Sequence, residues 1–128
     1  MKLLLDTHVF LGLLDLGSKS LPQRIEAAFD DMANSLHVSS ASLWEIAIKV
    51  RLKKLEFGME LDQFPDACNA AGVEILAVTS DHVLAEAMPL PATRDPFDRL
   101  LLAQASVEGM RLVTFDRALV DHPLAWAP

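Results

Sequence analysis

The chain begins Met1-Lys2-Leu3-Leu4-Leu5-Asp6-Thr7-His8, a short apolar run that ends in a carboxylate. Three consecutive leucines without a turn residue are typical of a strand buried on both faces of a parallel sheet. In open α/β sheets, ligands bind beyond the carboxyl ends of the strands. The pattern therefore predicts that Asp6 lies at a ligand-binding edge, where carboxylates from elsewhere in the chain can join it.

Length and composition predict one domain, residues 1–128, with a core of its own. Its one cysteine, Cys68, excludes an internal disulfide and a cysteine-based zinc site. Hydrophobic residues make up 52% of the chain, a surplus that favours an apolar surface facing a partner. Because no apolar run reaches the roughly 18 residues of a membrane span, and no signal-peptide core is visible, we expect a cytoplasmic protein.

The formal net charge of −7 argues against a protein that holds nucleic acid by general electrostatic attraction. An acidic chain can still act on phosphodiesters if its acids are ligands of divalent cations. The cations within residues 49–54 lie near the predicted end of a helix. They either complement the helix dipole or face RNA.

Strand-like and helix-like segments alternate along the chain. After the first strand, further strands are predicted at 36–39, 73–78 and 111–115, with a short edge strand at 124–126. Caps and helical spacing predict helices at 20–33 (with a capping box from Ser20 to Gln23), 43–54, 61–71, a short one after Thr79, and 95–107. This alternation predicts a right-handed parallel α/β sandwich.

Four acids occur where such a sheet would gather them. Asp6 and Asp116 each follow an apolar strand, and neighbouring parallel strands would bring them within reach of each other. Glu45 lies in a helix that is apolar nearly all round, next to Trp44, and an ionised carboxylate there is costly without a cation or donor. Asp98 lies in the first turn of the last helix.

Each acid also has a purely structural interpretation. An Asp after a strand is often a turn residue or a helix cap. Glu45 could complete a capping box with Ser42 or form a surface ion pair with Lys49. Asp98 could satisfy a first-turn amide, and Asp95, followed by proline, is assigned mainly to capping.

If the four acids gather at one edge of the sheet, their like charges cannot all stay ionised without counterions. Oxygen ligands without Cys or paired His favour Mg²⁺, with Mn²⁺ as a substitute. A carboxylate cluster that holds such ions suits phosphodiester hydrolysis. The residues themselves therefore point to a metal-dependent phosphodiesterase.

Two other hydrolytic or signalling classes fit less well. A phospho-acceptor signalling domain needs neighbouring acids after the first strand and a late lysine, but Asp6 is followed by Thr7 and His8, and no lysine occurs after Lys54. A haloacid-type phosphatase needs an aspartate at position 8. A binding module that keeps the fold without turnover is the remaining alternative.

Four segments carry a more specific signal, in this order along the chain: Asp6-Thr7-His8, 39–45 (SSASLWE), 95–105 (DPFDRLLLAQA) and Thr114-Phe115-Asp116. Together they resemble the PIN domain, and within it the VapC toxins of bacterial type II toxin–antitoxin pairs. The resemblance implies a three-layer α/β/α sandwich around a mainly parallel sheet of four to five strands. It also implies a Mg²⁺-dependent endoribonuclease, usually dimeric, held inactive by a cognate VapB-like antitoxin.

Matched position by position, the resemblance implies an acidic quartet of catalytic residues: Asp6, Glu45, Asp98 and Asp116. Its expected metal ligands are Asp6, Asp98 and Asp116, the first two above all. Thr7 and Thr114 match hydroxyl positions beside the acids and are expected at the substrate. Arg99 is expected to contact phosphate or antitoxin, with a salt bridge to Asp95 as an equal alternative. Which RNA is cut stays open.

Overall fold

The computed structural model describes residues 1–14, 21–56 and 58–127, and a parallel sheet lies at its centre. Within these residues the strands are β1 (Lys2–Leu5), β2 (Ser35–Ser39), β3 (Val73–Leu76) and β4 (Arg111–Val113). Their spatial order is β3-β2-β1-β4, and all neighbours are parallel. The carboxyl end of β1 therefore lies between the ends of β2 and β4, at the middle of the edge predicted to bind ligands.

Helices fill the connections, since parallel neighbours need a crossover rather than a tight turn. They are α1 (Thr7–Leu13), α2 (Gln23–Asp30), α3 (Ser40–Arg51), α4 (Phe64–Ala70), α5 (Ser80–Leu84) and α6 (Pro96–Glu108), with a 3₁₀ turn at Leu61–Gln63 before α4. In the described ranges, none of these helices has the length and apolar character needed to cross a membrane.

The three leucines of β1 are fully buried, and successive ones point to opposite faces of the sheet. Leu3 and Leu5 pack in a core with side chains of α1 to α4, among them Phe10, Ile25, Ile46 and Phe64. Leu4 packs in a second core, with Leu102 and other residues of α6. Helices thus cover both faces of the sheet, and the predicted α/β/α sandwich is confirmed.

Several element boundaries differ from the predicted ones because other residues form the caps. Helix α3 begins at Ser40, because Ser39 ends β2 and its Oγ accepts a hydrogen bond from the Ala41 N–H at 3.0 Å. Strand β3 stops at Leu76, and the Val78 N–H donates to Ser40 Oγ at 3.2 Å.

Other predicted elements are shorter than expected. The helix expected over 61–71 is divided into the 3₁₀ turn and α4, which carries proline in its first turn. The edge strand expected at 124–126 is reduced to one bridge, between Leu112 and Ala125. Ser20, the expected cap of α2, lies outside the described residues.

Candidate active site

The ends of β1 and β4 bring Asp6 and Asp116 to the same edge of the sheet. The Asp6 N–H donates to the Val113 carbonyl at 3.1 Å, which continues the pairing of the two strands by one residue. The Thr114 hydroxyl then joins the two acids, because it donates to the Asp6 carboxylate and its oxygen accepts from the Asp116 N–H at 3.0 Å. The neighbouring strands thus place the two acids as the sequence predicted.

Asp6 is 6% exposed, and its carboxylate also caps a helix. Its Oδ1 accepts a hydrogen bond from the Val9 N–H at 2.8 Å, at the start of α1. Burial raises the pKa of Asp6, the hydrogen bonds from Thr114 and Val9 and the nearby His8 oppose that rise, and the charge of Asp116 adds to it. The capping interpretation is therefore correct for Asp6, but a cap does not need a buried carboxylate beside a second acid.

Helix α3 brings Glu45 to the same edge of the sheet. The Thr7 hydroxyl donates to Glu45 Oε1 at 2.6 Å, and Lys49 Nζ lies 3.4 Å from Glu45 Oε2. The capping box with Ser42 is wrong, because Ser42 lies inside the helix and its buried Oγ has no hydrogen-bond partner within the described residues. The ion pair with Lys49 is present, although a partly exposed pair of this kind is worth less than about 1 kcal/mol.

Asp98 comes to the edge from the first turn of α6. Its Oδ2 accepts a hydrogen bond from the Thr93 hydroxyl at 3.1 Å, rather than from a first-turn amide. Its pKa is raised from 3.8 to about 6, first by burial and then by the charge of Asp95, with smaller contributions from Asp116 and Asp6. Asp98, Asp116 and Asp6 therefore lie close enough to repel one another.

Asp95 is the cap of α6, as expected. Its Oδ1 accepts from the Phe97 N–H at 2.8 Å and from the Asp98 N–H at 3.3 Å, and the residue is exposed. In the described part of the chain, Arg99 forms no salt bridge with Asp95; instead its Nε donates to the Thr93 carbonyl at 2.9 Å. This hydrogen bond stabilises the backbone conformation at Thr93.

Thr93 is the site residue that the sequence analysis missed. Its Oγ1 donates to Asp98 and also accepts from the Asp95 N–H at 3.1 Å. The only signal in the sequence is a threonine two residues before the predicted cap Asp95. A contact between Thr93 and Asp98 requires the backbone to turn at 93–95, which spacing alone does not reveal.

The donor chemistry of this edge fits a hard divalent cation. Asp6, Asp98 and Asp116 offer oxygen ligands that repel one another, and no salt bridge joins them to a cation within the described ranges. No three Asp, Glu, His or Cys side chains among residues 1–14, 21–56 and 58–127 form a group that could hold a metal as it stands. The structure therefore supplies ligands at a common edge, without a finished coordination shell.

The chain is similar to proteins of one known family. Residues 3–123 match the family model of the PIN domain. The chain is also 30% identical to a protein named Ribonuclease VapC22, from Mycobacterium tuberculosis (strain ATCC 25618 / H37Rv), over 93% of this chain and 90% of that protein. The PIN match spans all four acids.

We predict that Asp98→Asn raises the melting temperature of the metal-free protein at pH 7.5, by roughly 2–4 °C. Because the pKa of Asp98 is raised from 3.8 to about 6, the folded chain keeps a proton between these values that the unfolded chain has lost. The free energy of unfolding therefore falls as the pH rises through this window, and it stays lower above it. Calorimetry with a chelator at pH 4.5 and pH 7.5 measures the difference.

The control for this experiment is Asp121→Asn, at an exposed acid outside the predicted quartet. A general effect of removing one negative charge would appear in both variants, whereas relief of the repulsion at the site would appear in Asp98→Asn alone. A lower melting temperature for Asp98→Asn at pH 7.5 would contradict the interpretation that repulsion destabilises the site.

A second prediction concerns the hydroxyl of Thr93. Its hydrogen bond to Asp98 lowers the pKa of that carboxyl, so Thr93→Val should raise the Asp98 pKa further above about 6. Thr93→Ser keeps the hydroxyl and should leave the pKa unchanged. A carbon-detected NMR titration of the side-chain carboxyl resolves the two variants, and equal values for both would show that the hydroxyl does not act on Asp98.

Proposed function

This chain belongs to the PIN-domain family, and from that premise we propose that it is a Mg²⁺-dependent endoribonuclease, the toxin of a type II toxin–antitoxin pair. The observation that carries the proposal is the mutual repulsion of Asp6, Asp98 and Asp116 at one sheet edge with no cationic side chain paired to them in the described residues. Carboxylates that repel one another at one site favour a divalent cation as counterion, and Asp6 among them is buried. The relative named as a ribonuclease supports RNA as substrate.

Asp6, Asp98 and Asp116 would hold the ion, Mg²⁺ or Mn²⁺ in its place. When bound, the ion supplies a water of lowered pKa and positive charge at the phosphate. Glu45 is the fourth acid, and we assign it the role of accepting the proton of the attacking water. Its hydrogen bond from Thr7 orients the carboxylate for that task.

The threonines of this edge act as positioning residues in this proposal. A threonine hydroxyl has one hydrogen to donate. Thr7 donates its hydrogen to Glu45, and Thr114 donates its hydrogen to Asp6. Phosphate oxygens only accept hydrogen bonds, so either threonine would have to release its acid before it could donate to the substrate.

Arg99 remains the candidate for phosphate contact. Its Nε is engaged by the Thr93 carbonyl, whereas its two terminal amino groups make no hydrogen bond within the described residues. A guanidinium presents donors in a planar fork that matches a phosphate. We assign these amino groups to the RNA backbone or to the antitoxin segment that would occupy the site.

We further propose a cytoplasmic homodimer controlled by a VapB-like antitoxin. Large apolar side chains are exposed along α5 and the segment after it: Val83, Leu84, Met88 and Leu90. Val83, Leu84 and Leu90 border a groove of about 430 Å³ between α5 and α6, and Arg99 lies on its wall. A patch of this kind is typical of a protein-binding surface.

A catalytically silent binding module is the second candidate. It is favoured by one observation, that no three potential ligands in the described ranges form a ready metal group. Such a module would bind RNA or protein and show no Mg²⁺-dependent cleavage. A measurement of Mg²⁺-dependent RNA cleavage, described next, distinguishes the silent module from the nuclease.

We predict that Asp6→Asn and Asp98→Asn each reduce RNA cleavage below detection while the fold is retained. Each substitution removes a negative ligand without changing the size of the side chain. End-labelled RNA incubated over a range of Mg²⁺ concentrations measures cleavage, and circular dichroism verifies the fold. Asp121→Asn is the control and should cleave as the native chain does; unchanged cleavage by either site variant would reject the catalytic assignment.

The homodimer generates a separate prediction. Leu84 is 84% exposed, so Leu84→Glu should leave the fold intact but dissociate a dimer that uses this patch. Met32→Glu, at a side chain that is 96% exposed on the turn after α2, is the control and should stay dimeric. Light scattering at micromolar concentrations measures both, and a monomeric native chain would exclude the dimer.

A further inference from the structure

Trp44 is exposed at the edge where the acids gather. Its side chain is 60% exposed, although Ala41, Ser42 and Ile46 of the same helix are buried. The sequence of this part of α3 is apolar on nearly every side, which predicts a buried tryptophan. An indole left in water is a large apolar surface without a role in the core, and such residues are typical of binding sites.

The indole is held in place by a second aromatic ring. The ring centroids of Trp44 and Phe97 lie 6.0 Å apart with an interplanar angle of 59°, a tilted arrangement that aromatic pairs favour. Trp44 directly precedes Glu45, and Phe97 directly precedes Asp98. The pair therefore joins α3 and α6 at positions that are adjacent in sequence to two of the four acids.

A third aromatic residue occurs in the same relation to an acid. Phe115 directly precedes Asp116 and is 36% exposed. In a soluble domain each of these rings would ordinarily be buried. Aromatic residues thus directly precede three of the four acids, and two of them, Trp44 and Phe115, have exposed aromatic surface.

The net charge of the chain indicates which kind of ligand this aromatic surface can bind. With a net charge of −7, the chain gains little affinity for RNA from general attraction. Stacking of a base on an aromatic ring supplies affinity without cations and tolerates any base. Single-stranded RNA has bases free to stack, whereas the bases of a duplex are already stacked on each other.

We propose that Trp44, held by Phe97, is a stacking platform for an unpaired RNA base next to the scissile phosphate. The inference rests on the proposed function, because it places the substrate at the same acidic edge. It makes the protein selective for single-stranded RNA. A protein partner fits this surface less well, because interface cores are depleted in charged residues and Trp44 and Phe97 each directly precede an acid, whereas the exposed apolar side chains of α5 line a groove.

Tryptophan fluorescence tests the proposal directly. The chain contains two tryptophans, Trp44 and Trp126, so Trp126→Phe leaves Trp44 as the only reporter. In chelator, where no metal supports cleavage, a ten-nucleotide single-stranded RNA should quench Trp44, and the same sequence annealed into a duplex should not. Quenching by both forms equally, or by neither, would overturn the stacking role.

Variants measure the size of the effect. Trp44→Leu should weaken the Kd for the single-stranded RNA about tenfold or more, and Trp44→Phe, which keeps an aromatic face, should change it no more than about threefold. Leu52→Ala is the matched control, because Leu52 is a 59% exposed apolar residue at the far end of the same helix. Equal affinity of Trp44→Leu and the native chain would overturn the proposal.

Two further outcomes keep this proposal separate from the proposed function. If the native chain cleaves RNA and Trp44→Leu cleaves it with the same KM, the stacking platform is wrong and the nuclease stands. If the native chain shows no cleavage but Trp44 is quenched by single-stranded RNA, the nuclease is wrong and the platform stands. The exposure of Trp44 is also measured without RNA, over a range of protein concentrations. If this exposure falls as the protein concentration rises, a second copy of the chain covers the ring, and the stacking proposal is overturned.

Discussion

Repulsion between carboxylates at one edge of the sheet is the constraint on which the rest of this structure depends. The buried β1 strand has neighbours on both sides, so the acids that follow β1 and β4 lie together, and α6 adds Asp98 beside them. Burial raises the pKa of Asp6 and of Asp98, and neighbouring acids add to each rise. A chain selected only for stability would not gather such groups, because each is costly to desolvate. The arrangement is explained if a cation completes it.

Threonine hydroxyls hold three of the acids in place. Thr7 donates to Glu45, Thr93 to Asp98, and Thr114 to Asp6. Two of these threonines, Thr93 and Thr114, also accept a backbone N–H, which fastens the hydroxyl to the turn that carries it. A neutral donor orients a carboxylate without cancelling its charge, whereas a lysine or arginine at the same place would form an ion pair. The threonines therefore orient three acids without placing a cation on them, and in the described residues only Glu45 of the three also pairs with a lysine, Lys49.

The surface divides into two regions of different chemistry. Trp44 and Phe115, which directly precede Glu45 and Asp116, have exposed aromatic surface, and Trp44 packs against Phe97, a combination that suits the bases of a nucleic acid. Along α5 and after it, exposed aliphatic side chains border a groove, a combination that suits a protein surface. Arg99 lies between the regions, because it lines the groove and is joined through Thr93 to Asp98. Arg99 is thus common to the groove and to the hydrogen-bonded chain that ends at Asp98.

The order of strands and helices, the burial of Leu3 to Leu5 and the cap at Asp95 were determined by the sequence itself, because periodicity and capping are local properties. Local spacing also predicted that Asp6 and Asp116 would meet, since both follow strands of a parallel sheet. Only the tertiary structure decided that Ser39, and not Ser42, caps α3, that Thr93 reaches Asp98, and that Trp44 faces solvent. Each of these three features depends on where separate helices, strands and loops approach each other. Packing in three dimensions decides which residues meet there, and the local sequence does not.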